Sequence, residues 1–388
     1  MIKNPIVKRF MQETVFACFS VVNKCLKHNN KVILLYSNMG FRDNIKAYFD
    51  YLVKNGYNKE YEIICSSSDY KLFKKLEMHN VHFISNVLGI AQYFRAGYVF
   101  YCFGKIPIIP AKNQVVTQFW HGCPFKAPDE GMLKGHSWKK QYYSHVLSTS
   151  EFLKYIWSPI FSIPKEKIIV SGFPRNDALF EEKTHLDFGD YDKLVLWTPT
   201  FRKSSVMGYR DTQKTDSPLP VLRASELEEV NIFLKEQRVK VVVKLHPLQD
   251  LDHFKNTDYD HLVLLSHSEF VSRGMDLYSL MPHCDAMISD YSSIFFDYLL
   301  LDRPIAFTED DLEDYGGTRG FVFDNPEDFK PGFKIKTTAD FYRFIEMLVD
   351  GEDEFQKDRK RVNNLMNDFK EGGYSKRICE LLGITLEK

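Results

Sequence analysis

Two histidines in this chain of 388 residues each follow an apolar run that reads as a buried strand. His121 comes after residues 114–119 and precedes Gly122, which allows close approach of the backbone. His246 comes at the end of the β-branched run Val241-Val-Val-Lys-Leu245, and Pro247 stops that strand. A positioned imidazole can take a proton from a hydroxyl, donate to a phosphoryl oxygen or protonate a leaving group. Lys126 and Asp129 are near His121 in sequence, and an imidazole beside a carboxylate suits a general base. Either histidine taken alone could equally be satisfied in the core or at the surface. One after a strand in each half of the chain is harder to dismiss as chance.

A third signal is Ile288-Ser-Asp-Tyr-Ser-Ser293 followed by Ile-Phe-Phe-Asp-Tyr-Leu-Leu-Leu301. A strand ends near Ile288 and a helix is expected over residues 293–301. Ser289, Asp290 and Ser292 could simply cap that helix. Alternatively, free backbone N–H groups and the hydroxyls of Ser292 and Ser293 could hold a diphosphate. Arginines recur just after strand-like runs: Arg175 in Ser171-Gly-Phe-Pro-Arg-Asn-Asp177, Arg202 in Trp197-Thr-Pro-Thr-Phe-Arg202, and Arg319 in Thr318-Arg-Gly-Phe321. Guanidiniums suit bidentate phosphate contacts, though each could be a solvated surface charge. Several chemistries lack their patterns. There is no GxxxxGK[ST], no HExxH, no CxxC pair and no GxSxG. Asp310-Asp311 reads as a solvated acidic loop rather than a magnesium site, so no metal or other cofactor is expected.

These residues need rigid elements behind them, and the chain alternates strand-like and helix-like segments almost from its start. Strands are expected over residues 31–36, 61–65, 81–85, 97–102, 114–119 and 167–170. A second series covers 193–197, 239–245, 262–265, 286–288 and 304–307. Helices are expected over 44–54, 226–236, 275–281, 293–301 and from 340 onward. Such alternation predicts an α/β fold with parallel sheets covered by helices on both faces. Two series predict two Rossmann-like domains, 1–185 and 186–388, divided in the unpatterned stretch 182–192. Ligands in such sheets bind beyond the carboxyl ends of the strands, where the residues above stand.

A net charge of −1 argues against a nucleic-acid partner, and seven scattered cysteines read as reduced thiols of a cytoplasmic protein. No apolar run approaches the ~20 residues of a membrane span, and the signal-peptide pattern is missing. The first thirty residues nevertheless carry five lysines and arginines against one acid, Glu13. Val7, Phe10, Met11, Val15, Cys18, Val22 and Leu26 recur near helical spacing. Such a basic amphipathic helix either lies on an anionic membrane surface or packs its apolar stripe on the protein's own core.

Taken in order, Trp120-His-Gly-Cys-Pro-Phe-Lys126, Ser171–Asp177, Trp197–Arg202, Lys244-Leu-His-Pro247, Ser289–Asp297 and Arg319-Gly-Phe-Val-Phe-Asp324 resemble the CDP-glycerol glycerophosphotransferases. The opening Tyr36-Ser-Asn-Met-Gly-Phe-Arg-Asp-Asn44 resembles that family's N-terminal Gly…Asp-Asn pattern. The resemblance covers roughly residues 31–325 and includes the teichoic-acid primases and polymerases. It implies a GT-B fold, with the active site in a cleft between two Rossmann-like domains. It implies that His121 is the general base of the N-terminal, acceptor-binding domain. His246, Ser292, Ser293 and Arg319 match the family's donor-phosphate positions, and Arg202, Ser289 and Asp290 are grouped with them. Lys126, Asp129 and Arg175 are assigned to the acceptor side. Cys123-Pro-Phe-Lys126 and Ala-Pro-Asp129 stand where the family tends to show Thr-Pro-Leu-Lys and Leu-Gly-Asp.

The expected reaction is attack by an acceptor hydroxyl on the β-phosphorus of CDP-glycerol or a similar CDP-polyol, with release of CMP. The acceptor would be a lipid-linked saccharide or a polymer in teichoic-acid or capsule synthesis, at the inner face of the cell membrane. The rival readings are a GT-B glycosyltransferase using a nucleotide sugar, and a non-catalytic scaffold that binds polymer or membrane.

Overall fold

The computed structural model describes residues 14–127, 141–182, 188–200, 203–204, 209–210, 219–245, 259–310 and 320–387. Two compact units emerge. The first contains residues 1–122, 129–177 and 368–388, and the second residues 123–128 and 178–367. The contacts therefore divide the chain just after Asp177 rather than near residue 185. They also return the last twenty-one residues, expected in the C-terminal domain, to the first unit.

The first unit is built on a seven-stranded parallel sheet. Its strands are β1 (Asn29–Ser37), β2 (Glu62–Ser67), β3 (Val81–Ile84), β4 (Ala96–Tyr101), β5 (Val115–Gln118), β6 (His145–Ser148) and β7 (Ile168–Val170). Their order is β3-β2-β1-β4-β5-β6-β7, which reverses direction at β1 and β4. β4 and the last six residues of β1 are buried on both faces, as near-continuous apolar runs demand. The helix Asp43–Lys54 buries Ile45, Tyr48, Phe49 and Leu52 at spacings of three and four, one face of an α-helix.

The C-terminal helix Tyr374–Leu382 lies on that helix, with Tyr48 Oη and Cys379 Sγ 3.2 Å apart. Its return is fixed by the motif at residues 171–177. The carboxylate of Asp177 accepts from the backbone N–H groups of Tyr374 (2.7 Å) and Ser375 (2.9 Å). Those are orphan donors at a helix start, which a carboxylate satisfies well. Arg377 donates to the carbonyl of Ser171 at 3.1 Å. Gly172 has φ +78°, and a Cβ there would stand 2.2 Å from the Tyr374 ring, so no other residue fits.

The second unit holds β8 (Lys193–Trp197), β11 (Val239–Lys244), β12 (Leu262–Leu265), β13 (Ala286–Ser289), β14 (Ile305–Thr308) and β15 (Phe333–Ile335). They form a parallel sheet in the order β12-β11-β8-β13-β14-β15. A two-residue antiparallel ladder, β9 (Lys203–Ser204) with β10 (Tyr209–Arg210), stands apart. The helices Leu227–Glu236 and Thr338–Asp350 cover the sheet, and Trp197 stacks on Phe341. Thr337 and Asp340 close a reciprocal capping box at the start of the second of these helices.

β6 and β15 were not among the expected strands; four and three residues long, they lack an extended apolar run. The helix expected over 293–301 is α-helical only over Ile294–Tyr298 before tightening to a 3₁₀ turn at Leu299–Leu301. The helix Val15–Cys25 departs from one of its two expected seatings, the packing of an apolar stripe on the core. The residues it buries are Ser20 and Asn23, not an apolar stripe. Asn23 Nδ2 donates to the Ile109 carbonyl (3.1 Å) and to Gln114 Oε1 (2.9 Å), and Ser20 Oγ accepts from the Ile109 N–H at 3.0 Å. Val21, Val22 and Leu26 remain 65%, 50% and 40% exposed.

Candidate active site

β5 delivers His121 to the carboxyl edge of the first sheet, and the loop that carries it is held by side chains from the first turn of the helix Asp43–Lys54 and from the 3₁₀ segment Pro174–Phe180. Trp120 adopts φ +62° and Gly122 φ +141°, so the chain turns sharply on both sides of the histidine. The Trp120 carbonyl accepts from Asn44 Nδ2 at 2.9 Å and from Cys102 Sγ at 3.0 Å. The Trp120 N–H donates to Gln118 Oε1 at 3.0 Å. Arg175 Nη1 donates to the His121 carbonyl (3.0 Å) and to both oxygens of Asp43 (2.9 and 3.0 Å). Asn44 Oδ1 accepts from the Arg175 backbone N–H at 3.2 Å, which ties these two segments directly. Asp43 itself is left-handed, at φ +60°. Non-glycine residues in that region cost about 1–3 kcal/mol each and persist where surrounding bonds over-determine them.

Arg175 is 6% exposed and Asp43 19%, so this pair is shielded from water and from salt. The His121 ring stacks on Trp120 with centroids 4.2 Å apart and on Phe103 at 5.0 Å, yet keeps an exposed side. Protein packed around the ring disfavours its charged form and lowers its pKa to about 4; Asp43 opposes this, while Arg175 and Arg42 add to it. Water at the open side tempers the shift without changing its direction. The imidazole is therefore neutral at pH 7, with a nitrogen lone pair able to accept a proton.

In the second unit, β8 and β13 are neighbours, and their carboxyl-end loops are tied by Asp290. Asp290 Oδ2 accepts from the Thr200 N–H and hydroxyl, both at 2.7 Å. Asp290 Oδ1 accepts from the N–H groups of Tyr291 (2.6 Å) and Ser292 (3.2 Å). The carboxylate is fully buried and acts as a fastener. Ser293 occupies the N-cap position without a side-chain capping bond, and both Ser292 and Ser293 are half-buried. Ser289 Oγ and Thr198 Oγ1 are buried and have no hydrogen-bond partner among the described residues. Both stand at the carboxyl ends of paired strands, where polar atoms left unsatisfied invite a ligand. Thr198 was not singled out beforehand, although the Trp197–Arg202 motif contains it.

Lys126 belongs to the second unit, not the first. Its segment pairs with residues 320–322: the Ala127 N–H donates to the Gly320 carbonyl (3.0 Å), and the Val322 N–H to that of Phe125 (2.9 Å). Phe125 anchors this pairing against Phe295, Phe296 and Phe321. Apolar burial thus decides the membership of a segment that sequence order had placed elsewhere. Arg175, assigned to the acceptor side, is engaged with Asp43 and the His121 carbonyl. Asp43 and Asn44 were visible only as part of the Gly…Asp-Asn pattern, with no role attached. His246, Arg202, Arg319 and Asp129 lie outside the described residues. Among those described, no three His, Cys, Asp or Glu side chains gather as a metal site.

Two Rossmann-like parallel sheets with polar groups at their carboxyl ends define an α/β transferase fold of GT-B type, suited to phosphate-bearing donors. The sequence profile of the CDP-Glycerol:Poly(glycerophosphate) glycerophosphotransferases matches residues 18–383, and the chain belongs to that family. It is therefore a transferase of the glycerophosphotransferase type, as the motifs led us to expect. It is 25% identical over 387 residues to the teichoic acid poly(ribitol-phosphate) polymerase of Bacillus spizizenii, covering 94% of this chain and 57% of that protein. It is 23% identical over 419 residues to the teichoic acid glycerol-phosphate transferase of Staphylococcus aureus, covering 98% and 100%. Among solved structures, the wall teichoic acid polymerase TagF, in a variant soaked with CDPG, shares the fold. The TM-score is 0.70 at 20% identity, over 97% of this chain and 94% of that one.

Arg175→Met and Asp43→Asn should each lower kcat by roughly 10–100-fold, since the imidazole loses its fixed backbone. KM for the nucleotide donor should hold, and Arg175→Lys should restore part of the rate. Steady-state kinetics on variants shown to be folded by circular dichroism check this. An increase in donor KM at unchanged kcat would remove the positioning role.

Proposed function

We propose that the chain moves glycerol phosphate, or a similar polyol phosphate, from a CDP-polyol to a hydroxyl of a saccharide or polymer acceptor. The observation that carries this reading is the neutral, exposed His121 imidazole on a loop clamped by Asp43, Asn44 and Arg175. In the proposed step, an acceptor oxygen attacks the β-phosphorus, and its proton passes to the imidazole. The bond from the β-phosphorus to the bridging oxygen breaks, and CMP leaves with that electron pair. Such transfers need positioning and charge neutralisation more than covalent help.

The donor diphosphate falls to groups of the second unit. The hydroxyls of Ser292, Ser293, Ser289 and Thr198 are uncommitted or unsatisfied, and His246, Arg202 and Arg319 supply cationic or donor groups by resemblance. Asp290 acts by holding these loops rather than by touching an anion. Lys126 pairs beside Gly320, which favours the donor side for its ammonium. Arg175 serves the acceptor side by fixing His121, and Asp129 is assigned to that side by resemblance. The family match disfavours a nucleotide-sugar glycosyltransferase.

A release assay for CMP with a panel of CDP-polyols and nucleotide sugars tests the reading. Turnover is expected with a CDP-polyol and a hydroxyl acceptor, and His121→Ala should reduce it about 10²–10⁴-fold. Turnover only with a nucleotide sugar, or near wild-type release by His121→Ala, would remove it.

Contact with the inner face of the cell membrane, in the cytoplasm, is the second part of the proposal. No helix among the described residues is long and apolar enough to cross a bilayer. The helix Val15–Cys25 instead seats itself through Ser20 and Asn23 and leaves Val21, Val22, Lys24 and Lys27 outward. Apolar and basic side chains together suit an anionic membrane surface. Val21→Asp with Val22→Asp should abolish co-sedimentation with anionic vesicles while CMP release in solution persists. Unchanged sedimentation of that variant would refute the contact.

A further inference from the structure

The amino ends of β5, β6 and β7 carry a feature that the transfer chemistry does not use. Gln114, Ser144 and Lys167 stand next to the first residues of these strands. With Tyr143, Lys24 and Lys112 they line an open recess of about 680 Å³. His121 follows the opposite end of β5, so the four residues of that strand alone separate the two by roughly 13 Å.

The recess is unusual in what it leaves uncompensated. Among the described residues no carboxylate lines it, and Lys24, Lys112 and Lys167 are in no ion pair. All three are exposed. The neutral groups are already engaged. Gln114 Nε2 donates to the carbonyls of Tyr93 (2.8 Å) and Ala96 (3.0 Å), and its Oε1 accepts from Asn23. Ser144 Oγ bonds the backbone of Val116, donating at 3.0 Å and accepting at 2.7 Å. Gln141 Oε1 accepts from Lys167 Nζ at 3.2 Å, which steadies that ammonium without neutralising it. The positive field reaches inward: burial, and after it Lys167, lowers the pKa of His145 at the start of β6.

Three ammoniums around one concavity, on a chain of net charge −1, repel one another unless an anion sits among them. We propose that this recess is a second ligand site that binds a phosphate monoester or diester, apart from the reaction centre. Lysines act on phosphate as mobile point charges, which suits a ligand whose phosphates shift along a chain or a surface. Two sources present that chemistry, a soluble polyol-phosphate chain and the headgroup of an anionic lipid. The proposal does not rest on the role of His121, because the measurement below reads binding and not turnover.

The test compares the wild-type chain with two charge-matched variants. One is Lys24→Gln, Lys112→Gln, Lys167→Gln; the other is Lys71→Gln, Lys75→Gln, Lys357→Gln, at exposed sites elsewhere. Each is titrated calorimetrically with a short oligo(glycerol phosphate) and, separately, with phosphatidylglycerol vesicles against phosphatidylcholine vesicles. The expected result is saturable binding in at least one arm, weakened about tenfold in the recess variant and unchanged in the control. The arm that responds names the source. Absence of saturable binding in both arms, or equal weakening in both variants, would overturn the proposal.

Discussion

One guanidinium holds the candidate site of the first unit together. Arg175 is buried against the Asp43 carboxylate, at a helix start, and the His121 carbonyl, on the loop after β5. Removing one member of such a buried pair leaves the other charge uncompensated, at a cost of about 3–5 kcal/mol. That penalty keeps two left-handed residues, Asp43 and Trp120, in conformations they would otherwise leave. The result is a histidine whose backbone is fixed and whose ring is stacked on two aromatic neighbours. The same surroundings keep the ring neutral, because protein crowding and two guanidiniums all oppose its protonation.

The second unit uses the same device with opposite charge. The fully buried Asp290 binds backbone and hydroxyl donors from the loops after β8 and β13. Both units thus use a buried ion to align loops at the carboxyl ends of their sheets, and leave other side chains available for chemistry. In each unit the buried ion is the residue that sequence reading took for a ligand contact. Arg175 and Asp290 look like phosphate- or substrate-facing groups because position after a strand does not show where a side chain points.

Much of the fold was legible because buried parallel strands read as apolar runs. The stretches 31–36, 193–197 and 239–245 are so continuous that their strands follow within two residues. β6 and β15 escaped because three or four residues carry little periodicity. The membership of Lys126 in the second unit could not be read from chain order, since it follows from Phe125 packing on Phe295 and Phe321, 170 and 196 residues further along the chain. The same holds for the return of residues 368–388, which depends on Asp177 meeting a helix start far along the chain. For the N-terminal helix the sequence left two seatings open, an anionic membrane surface or the protein's own core. Over Val15–Cys25 the buried residues are Ser20 and Asn23, which hydrogen-bond Ile109 and Gln114, and polar contacts of that kind leave no periodic apolar signal.

The pH dependence of kcat/KM for CMP release from a CDP-polyol tests most directly whether His121 is the base. A base must be unprotonated to act, and a lowered pKa keeps His121 unprotonated further into acid. The acid limb should therefore fall with a midpoint below 6.5, displaced toward the value of about 4 that its surroundings favour. A midpoint at or above 6.5, or an acid limb unchanged in His121→Ala, would contradict the account.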